Sequence, residues 1–173
     1  MSSLEEIGPS LPSVARQAVQ YWLSEGKWLQ VSKPDAPAAP VFVTLRDPDK
    51  ALRGCIGTLA PTTPDVVGET ARAAVLAATQ DPRFPPLTHA ELQGLGIEVS
   101  VLLPEEPIQG LSQLDPACYG VIVRGRDGRR GVLLPDIPGI ETASAQVAIA
   151  RKKAGLSDDE PCDLARFRVL KFG

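Results

Sequence analysis

Arg53-Gly54-Cys55-Ile56-Gly57 brings a cation, a sulfur nucleophile and two glycines into one short stretch. In an extended chain alternate side chains point to opposite faces. Arg53, Cys55 and Gly57 then share one face, and Leu52, Gly54 and Ile56 share the other. A guanidinium beside a thiol favours the thiolate and would draw its pKa below the usual value of about 8.5. Glycines inside a strand weaken it and often mark a bulge, or a place where a ligand meets the backbone. The stretch therefore predicts a small recess: Arg53 and Cys55 are the candidate catalytic pair, amides near Gly54 and Gly57 bind a ligand, and Gly57 leaves the next position open. A plainer account uses the same residues. Free cysteine is commonly a small buried hydrophobe, and strand glycines often serve packing alone. Residue types by themselves leave both open.

Further candidates surround this stretch. Thr58 adjoins it, and Glu98 and Ser100 lie on the polar face of a strand that could pair alongside; a solvated sheet face is the simpler account of both. Asp81 and Arg83 flank Pro82, where they could pair or shape a binding surface, and a structural turn is favoured. Gly54, Gly57, Thr58, Arg83, Glu98 and Ser100 thus form the candidate ligand-binding set. His89 is the only histidine. It allows at most one imidazole base, and a Cys55–His89 dyad would need the fold to bring the two together. With no Cys-x-x-Cys and no His-x-x-x-His, no metal site is expected. Gly-rich phosphate loops are absent too, so neither ATP nor NAD is expected as a cofactor.

Periodicity supplies the elements that must position these residues. A helix is predicted over Pro12 to Glu25, capped by Ser10 and stopped by Gly26. A Pro-rich loop follows over residues 32–40. Val41 to Leu45 and Leu52 to Leu59 read as a hairpin turning at Asp47 to Lys50. Thr62-x-x-Asp65 reads as a capping box for a helix to about Thr79, whose alanines would let it approach a sheet closely. A short helix over Thr88 to Leu92 precedes a strand from Ile97 to Leu103. Tyr119 to Val123 and Gly131 to Leu134 form a second hairpin around an Asp-Gly turn. A helix from Thr142 to Ala154 ends at Gly155-Leu156, and Phe167 to Phe172 closes the chain as a strand. Hairpins with three main helices and no strict βαβ alternation indicate an α+β fold with a mainly antiparallel sheet.

A chain of 173 residues suits one domain, or two small lobes sharing a core. A net charge of −3 gives no global attraction to nucleic acid. Arg124, Arg126, Arg129 and Arg130 could grip phosphate, RNA or an acidic partner, but Asp127 is interleaved and aromatic platforms are few, which argues against nucleic-acid binding. No stretch approaches the roughly 18 apolar residues of a membrane span, and the first residues have no leader pattern. Three scattered cysteines suggest a reducing compartment. The expected location is the cytoplasm.

Leu52-Arg53-Gly54-Cys55-Ile56-Gly57-Thr58-Leu59 resembles the signature of the AMMECR domain family, known in prokaryotes as AmmeMemoRadiSam system protein A. The resemblance continues through residues 81–88, 97–102, 131–135 and 153–156 in the family's order. It implies a single two-lobed α+β domain over residues 1–173, with the Arg53–Gly57 strand lining a cleft between lobes. The family's activity is not established. Its name associates it with a Memo-like protein and a radical S-adenosylmethionine enzyme, which suggests a part in a modification pathway. Two departures stand out. Residues 136–140 lack a tryptophan often found there, and Tyr119 replaces a frequent histidine, so a mechanism relying on that imidazole would lack it.

Two functions follow as expectations. In the favoured one, the protein is a binding component that holds a small anionic ligand or peptide through Arg53. In the alternative it is a thiol enzyme with Cys55 as nucleophile and Arg53 lowering its pKa. Iodoacetamide labelling of the folded protein against pH separates them: an apparent pKa near or above about 8.5, or no labelling, counts against an activated thiol.

Overall fold

The helical stripe read from Val14 to Leu23 forms as expected, but the chain is already helical before it begins. A computed structural model describes residues 2–173. In chain order it contains α1 (Leu4–Ile7), α2 (Leu11–Glu25), β1 (Val41–Arg46), β2 (Leu52–Gly57), α3 (Val66–Thr79) and α4 (His89–Leu92). Then come β3 (Gly96–Leu102), β4 (Glu106–Ile108), β5 (Gly120–Gly125), β6 (Arg130–Leu133), α5 (Ala143–Ala154), β7 (Cys162–Phe167) and β8 (Val169–Phe172). Two compact units result: the chain up to Leu102 with Leu170–Gly173, and Leu103–Val169.

In the first unit α1 and one 3-10 turn, Gly8–Ser10, run directly into α2. Ser10 therefore has helical backbone and cannot cap; its hydroxyl donates to the Ile7 carbonyl instead (2.7 Å). Gly26 ends α2 in the left-handed conformation, as expected. The sheet order is β2-β1-β3-β8. In the antiparallel register Val43 lies opposite Ile56 and Val99, and Leu45 opposite Gly54 and Ile97. This row belongs to the core with Ala73, Ala74, Ala77 and Ala78 of α3. The small alanines allow the close approach expected of them. A Cβ at Gly54 would fall well inside van der Waals contact of the Ala77 carbonyl oxygen.

Two acids organise the entry to α3. Asp65 is itself the N-cap, accepting from the amides of Val67 and Gly68 (2.9 Å each), so Thr62 does not cap. Thr62 and Thr63 fold back onto Glu69, which is 1% exposed. Its carboxylate accepts from the Thr62 amide (2.7 Å), the Thr63 amide (2.9 Å) and the Thr58 hydroxyl (3.0 Å). A buried charge is tolerated only when so surrounded. The strand predicted to reach Leu59 accordingly ends at Gly57, where the chain turns to meet Glu69.

The second unit has sheet order β4-β7-β5-β6, antiparallel throughout. The β5–β6 hairpin turns through Gly128 (φ 88°). Thr142 caps α5, and Gly155 ends it with Leu156 donating to the Arg151 carbonyl (3.0 Å), the Schellman end foreseen. Val147, Ala150 and Ala154 of α5 cluster with Val121, Val123 and Leu133. Two strands were not foreseen. The three-residue β4 contains Pro107, which hides it from pattern reading. The single final strand expected over Phe167 to Phe172 is two: β7 and β8 break at Arg168 and join different sheets. The class is α+β.

Gly54→Ala should lower stability by about 2–3 kcal/mol, because the obstructing atom is backbone and cannot swing aside. Glu69→Ala should cost on the order of 2 kcal/mol, leaving the part-buried Thr62 and Thr63 amides and the Thr58 hydroxyl without their acceptor. Urea unfolding of each variant checks both.

Candidate functional site

β2 is an edge strand, and its exposed side is where the candidate residues gather. The β1–β2 register puts Cys55 opposite Thr44, and the β1–β3 register puts Glu98 opposite Thr44. Cys55, Thr44 and Glu98 thus form one row on the face away from α3. Cys55 is half-buried, with Sγ 3.4 Å from the Thr44 hydroxyl. Its backbone amide points off the sheet edge and donates to Asp81 (2.9 Å).

Asp81 holds this edge in place. Its side chain is 2% exposed and it accepts from the Arg83 amide (3.1 Å), Arg83 Nε (3.0 Å) and Arg83 Nη2 (2.7 Å). Hydrogen bonding from Arg83 holds its pKa far below the usual carboxylate range, against the opposing effect of burial; the Cys55 and Arg83 amides add to the lowering. Arg83 is raised in turn, chiefly by Asp81 and to a lesser degree by the Cys55 sulfur. The 81–83 segment is therefore the structural turn expected, and it also blocks the edge of β2 against strand addition.

Arg53 does not pair with the sulfur. Its Nε and Nη2 donate to Glu91 (2.7 and 3.3 Å), and its guanidinium lies 5.9 Å from the Phe84 ring centroid. Glu91 is the third residue of the α4 capping box and also accepts from the Thr88 amide (2.8 Å). Arg53, then Thr88, lower its pKa to about 2. Arg16 of α2 donates to the carbonyls of Leu92 and Leu95, which fixes the far end of α4. Arg53 Nη1 is buried without a hydrogen-bond acceptor. The guanidinium is consequently neutralised on one side and left with a donor in want of a partner on the other.

Other expectations are corrected. Gly57 does not leave open space: the Phe42 ring lies where its side chain would be, and Gly57 is needed to admit that ring. Gly54 serves contact with α3. Thr58 is engaged by Glu69. Ser100 is buried rather than solvated, while Glu98 is half-buried. His89 is exposed at the start of α4, and the sulfur's hydrogen bond goes to Thr44. Among the described residues no group of three or more His, Cys, Asp or Glu could hold a metal ion. At the second hairpin Arg124 pairs with Glu105 (2.7 Å), and Arg129 with Asp127 (2.5 Å) and Glu160. Half of that basic cluster is thus neutralised.

Sequence reasoning missed Thr44, Phe84 and Glu91. The hairpin register could have found Thr44, and the Thr88-x-x-Glu91 spacing carries the capping-box signal. Nothing local announces that Glu91 would meet Arg53. The assembled site offers a buried cationic donor, a thiol hydrogen-bonded to a hydroxyl, and two carboxylate–guanidinium pairs flanking them. A base on the sulfur is not part of it.

Asp81 and Glu91 are both depressed, so their stabilisation is present above the unfolded carboxylate values near pH 4. It is lost as pH falls through the folded values, from about 4 towards 2 for Glu91 and lower still for Asp81. Asp81→Asn should cost on the order of 2 kcal/mol at neutral pH, and should flatten the stability decline on the acid side. Denaturant titrations between pH 7 and 3 check this.

A family model described as AMMECR1 matches residues 12–172. A Thermotoga maritima protein is 47% identical over 135 residues, covering 78% of this chain and 77% of its own length. The Methanopyrus kandleri protein MK0488 is 40% identical over 174 residues, covering 92% of this chain and 82% of itself. In three dimensions the uncharacterised protein PH0010 from Pyrococcus horikoshii is similar, with a TM-score of 0.82, 34% identity, and 95% and 89% of the two chains covered. No helix among the described residues is long and apolar enough to cross a membrane. By motif, fold and extent of match, the chain belongs to the AMMECR1 family.

Proposed function

We propose that this protein is a binding component of a modification pathway, recognising an anionic group of a ligand or partner protein at the exposed side of β2. The observation that carries this reading is Arg53 Nη1, a buried guanidinium nitrogen without an acceptor among the described residues. A buried donor left unpaired costs on the order of 1–3 kcal/mol; because Nη1 is closed to solvent, an anionic oxygen would recover that cost once the side chains covering it shift aside. Glu91 holds the other edge of the guanidinium, so the fork is oriented before the ligand arrives. The partners suggested by the family resemblance are a Memo-like protein and a radical S-adenosylmethionine enzyme. The cytoplasm is the compartment in which such a pathway would operate.

A thiol-enzyme reading has one observation in its favour: Cys55 Sγ lies 3.4 Å from the Thr44 hydroxyl. No general base is in contact with the sulfur: Asp81 and Glu91 are committed to arginines, Glu98 stands two strands away beyond Thr44, and Thr44 is a poor base. The binding reading is the stronger.

Calorimetric titration with the Memo-like protein and the radical enzyme of the same organism tests the proposal. Binding to one of them in the micromolar range is expected, weakened about tenfold or more by Arg53→Met. Cys55→Ser should change affinity by less than about threefold. Failure to bind either protein overturns the reading, and abolition of function by Cys55→Ser with binding intact would favour the enzyme.

A further inference from the structure

The second unit contains a concavity of about 560 Å³ that the site on β2 does not involve; Leu103, Pro104, Glu106, Tyr119, Arg166 and Arg168 line it. Small organic ligands usually occupy sites of about 300–1,000 Å³. The chemistry of this wall is distinctive. The Arg166 guanidinium lies 4.2 Å from the Tyr119 ring centroid and that of Arg168 lies 5.0 Å from it. Arg168 Nη2 also donates to the Tyr119 hydroxyl (2.8 Å).

Their supports are rigid. Between the two arginines Phe167 is 2% exposed, its ring lying where Gly120 lacks a side chain. The Tyr119 carbonyl accepts from the buried Gln146 side chain (2.8 Å), which fixes the residue that carries the phenol. The charges are unevenly balanced. Arg166 is met by Glu106 (3.0 Å) and donates to the Gln113 carbonyl (2.6 Å). Arg168 is hydrogen-bonded to the Tyr119 hydroxyl instead, with Glu106 acting on it only through space. Two like charges gathered on one ring repel, and an oxyanion placed between them would relieve this. Planar guanidinium forks match phosphate oxygens in particular. Leu103 and Pro104 add apolar wall, which a bare ion would not use.

We propose that this concavity is a second ligand site, taking a small phosphomonoester whose phosphate is gripped by Arg168 and Arg166 beside Tyr119. Its organic portion lies against Leu103 and Pro104. Glu106 opposes highly charged ligands, so a single phosphoryl group is favoured over a polyphosphate.

The test is an NMR titration of the full 15N-labelled chain with phenyl phosphate, inorganic phosphate and benzoate in parallel. Phenyl phosphate should give saturable shifts at the Arg166 and Arg168 side-chain N–H groups and at the Gly120 amide, with a Kd of about 1 mM or tighter. Inorganic phosphate and benzoate should each bind at least about fivefold more weakly. Arg168→Gln should weaken phenyl phosphate about tenfold, and the exposed hairpin variant Arg126→Gln should not. Should Arg168→Gln lose its fold, Arg168→Lys keeps the charge without the fork and should still weaken binding several-fold. No saturation, equal affinity for inorganic phosphate or benzoate, or an equal loss in Arg126→Gln overturns the proposal.

Discussion

A carboxylate removed from water keeps its charge only where donors replace the lost hydration, and at Asp81 that requirement organises the whole neighbourhood of β2. The edge strand supplies the Cys55 amide, and the following turn supplies the amide and guanidinium of Arg83. Because the Cys55 amide lies 26 residues from Asp81 in the chain, satisfying one carboxylate fastens the 81–84 turn to the strand. Phe84 is then presented to Arg53 as well as Arg83. The same bond obstructs the addition of another strand at this edge.

From that fastening the electrostatics follow. Each arginine near Cys55 has its own carboxylate, Arg83 with Asp81 and Arg53 with Glu91. Cations spent in this way are poor activators of a thiol but good rigid donors, since their orientation is settled before any ligand arrives. The signature cysteine then acts as a half-buried wall residue hydrogen-bonded to Thr44. Its glycine neighbours do packing work: Gly54 lets α3 lie close, and Gly57 admits the Phe42 ring. In a strand so constrained on both faces, little of the motif is free for chemistry.

The second unit repeats the theme with different parts. Gly131 sits beneath the Ala150 carbonyl as Gly54 sits beneath that of Ala77, so in both units a missing side chain sets the helix-to-sheet distance. Arginines again gather on an aromatic ring, Tyr119. Here one of the two has no carboxylate of its own among its described hydrogen bonds, which distinguishes the Tyr119 concavity from the neutralised pairs of the first unit and from Arg124 and Arg129 at the hairpin.

Periodicity and turn chemistry are local properties, and what they govern was readable in the residues: α2 and α5 with their glycine stops, α3 ending just before Asp81-Pro82, and the β1–β2 hairpin. The family signature was legible for the same reason, being contiguous. Caps were less so, because Ser10 and Thr62 look like N-caps until the preceding chain proves helical or finds a better acceptor in Glu69. Partners across the fold were not legible at all. That Arg53 would spend its fork on Glu91, that Asp81 would take the Cys55 amide, and that Phe42 would fill the room above Gly57 depend on which segments meet. Hydrogen-bond partners and van der Waals room are set by distances of a few ångströms between residues far apart in sequence, and only the tertiary structure decides those.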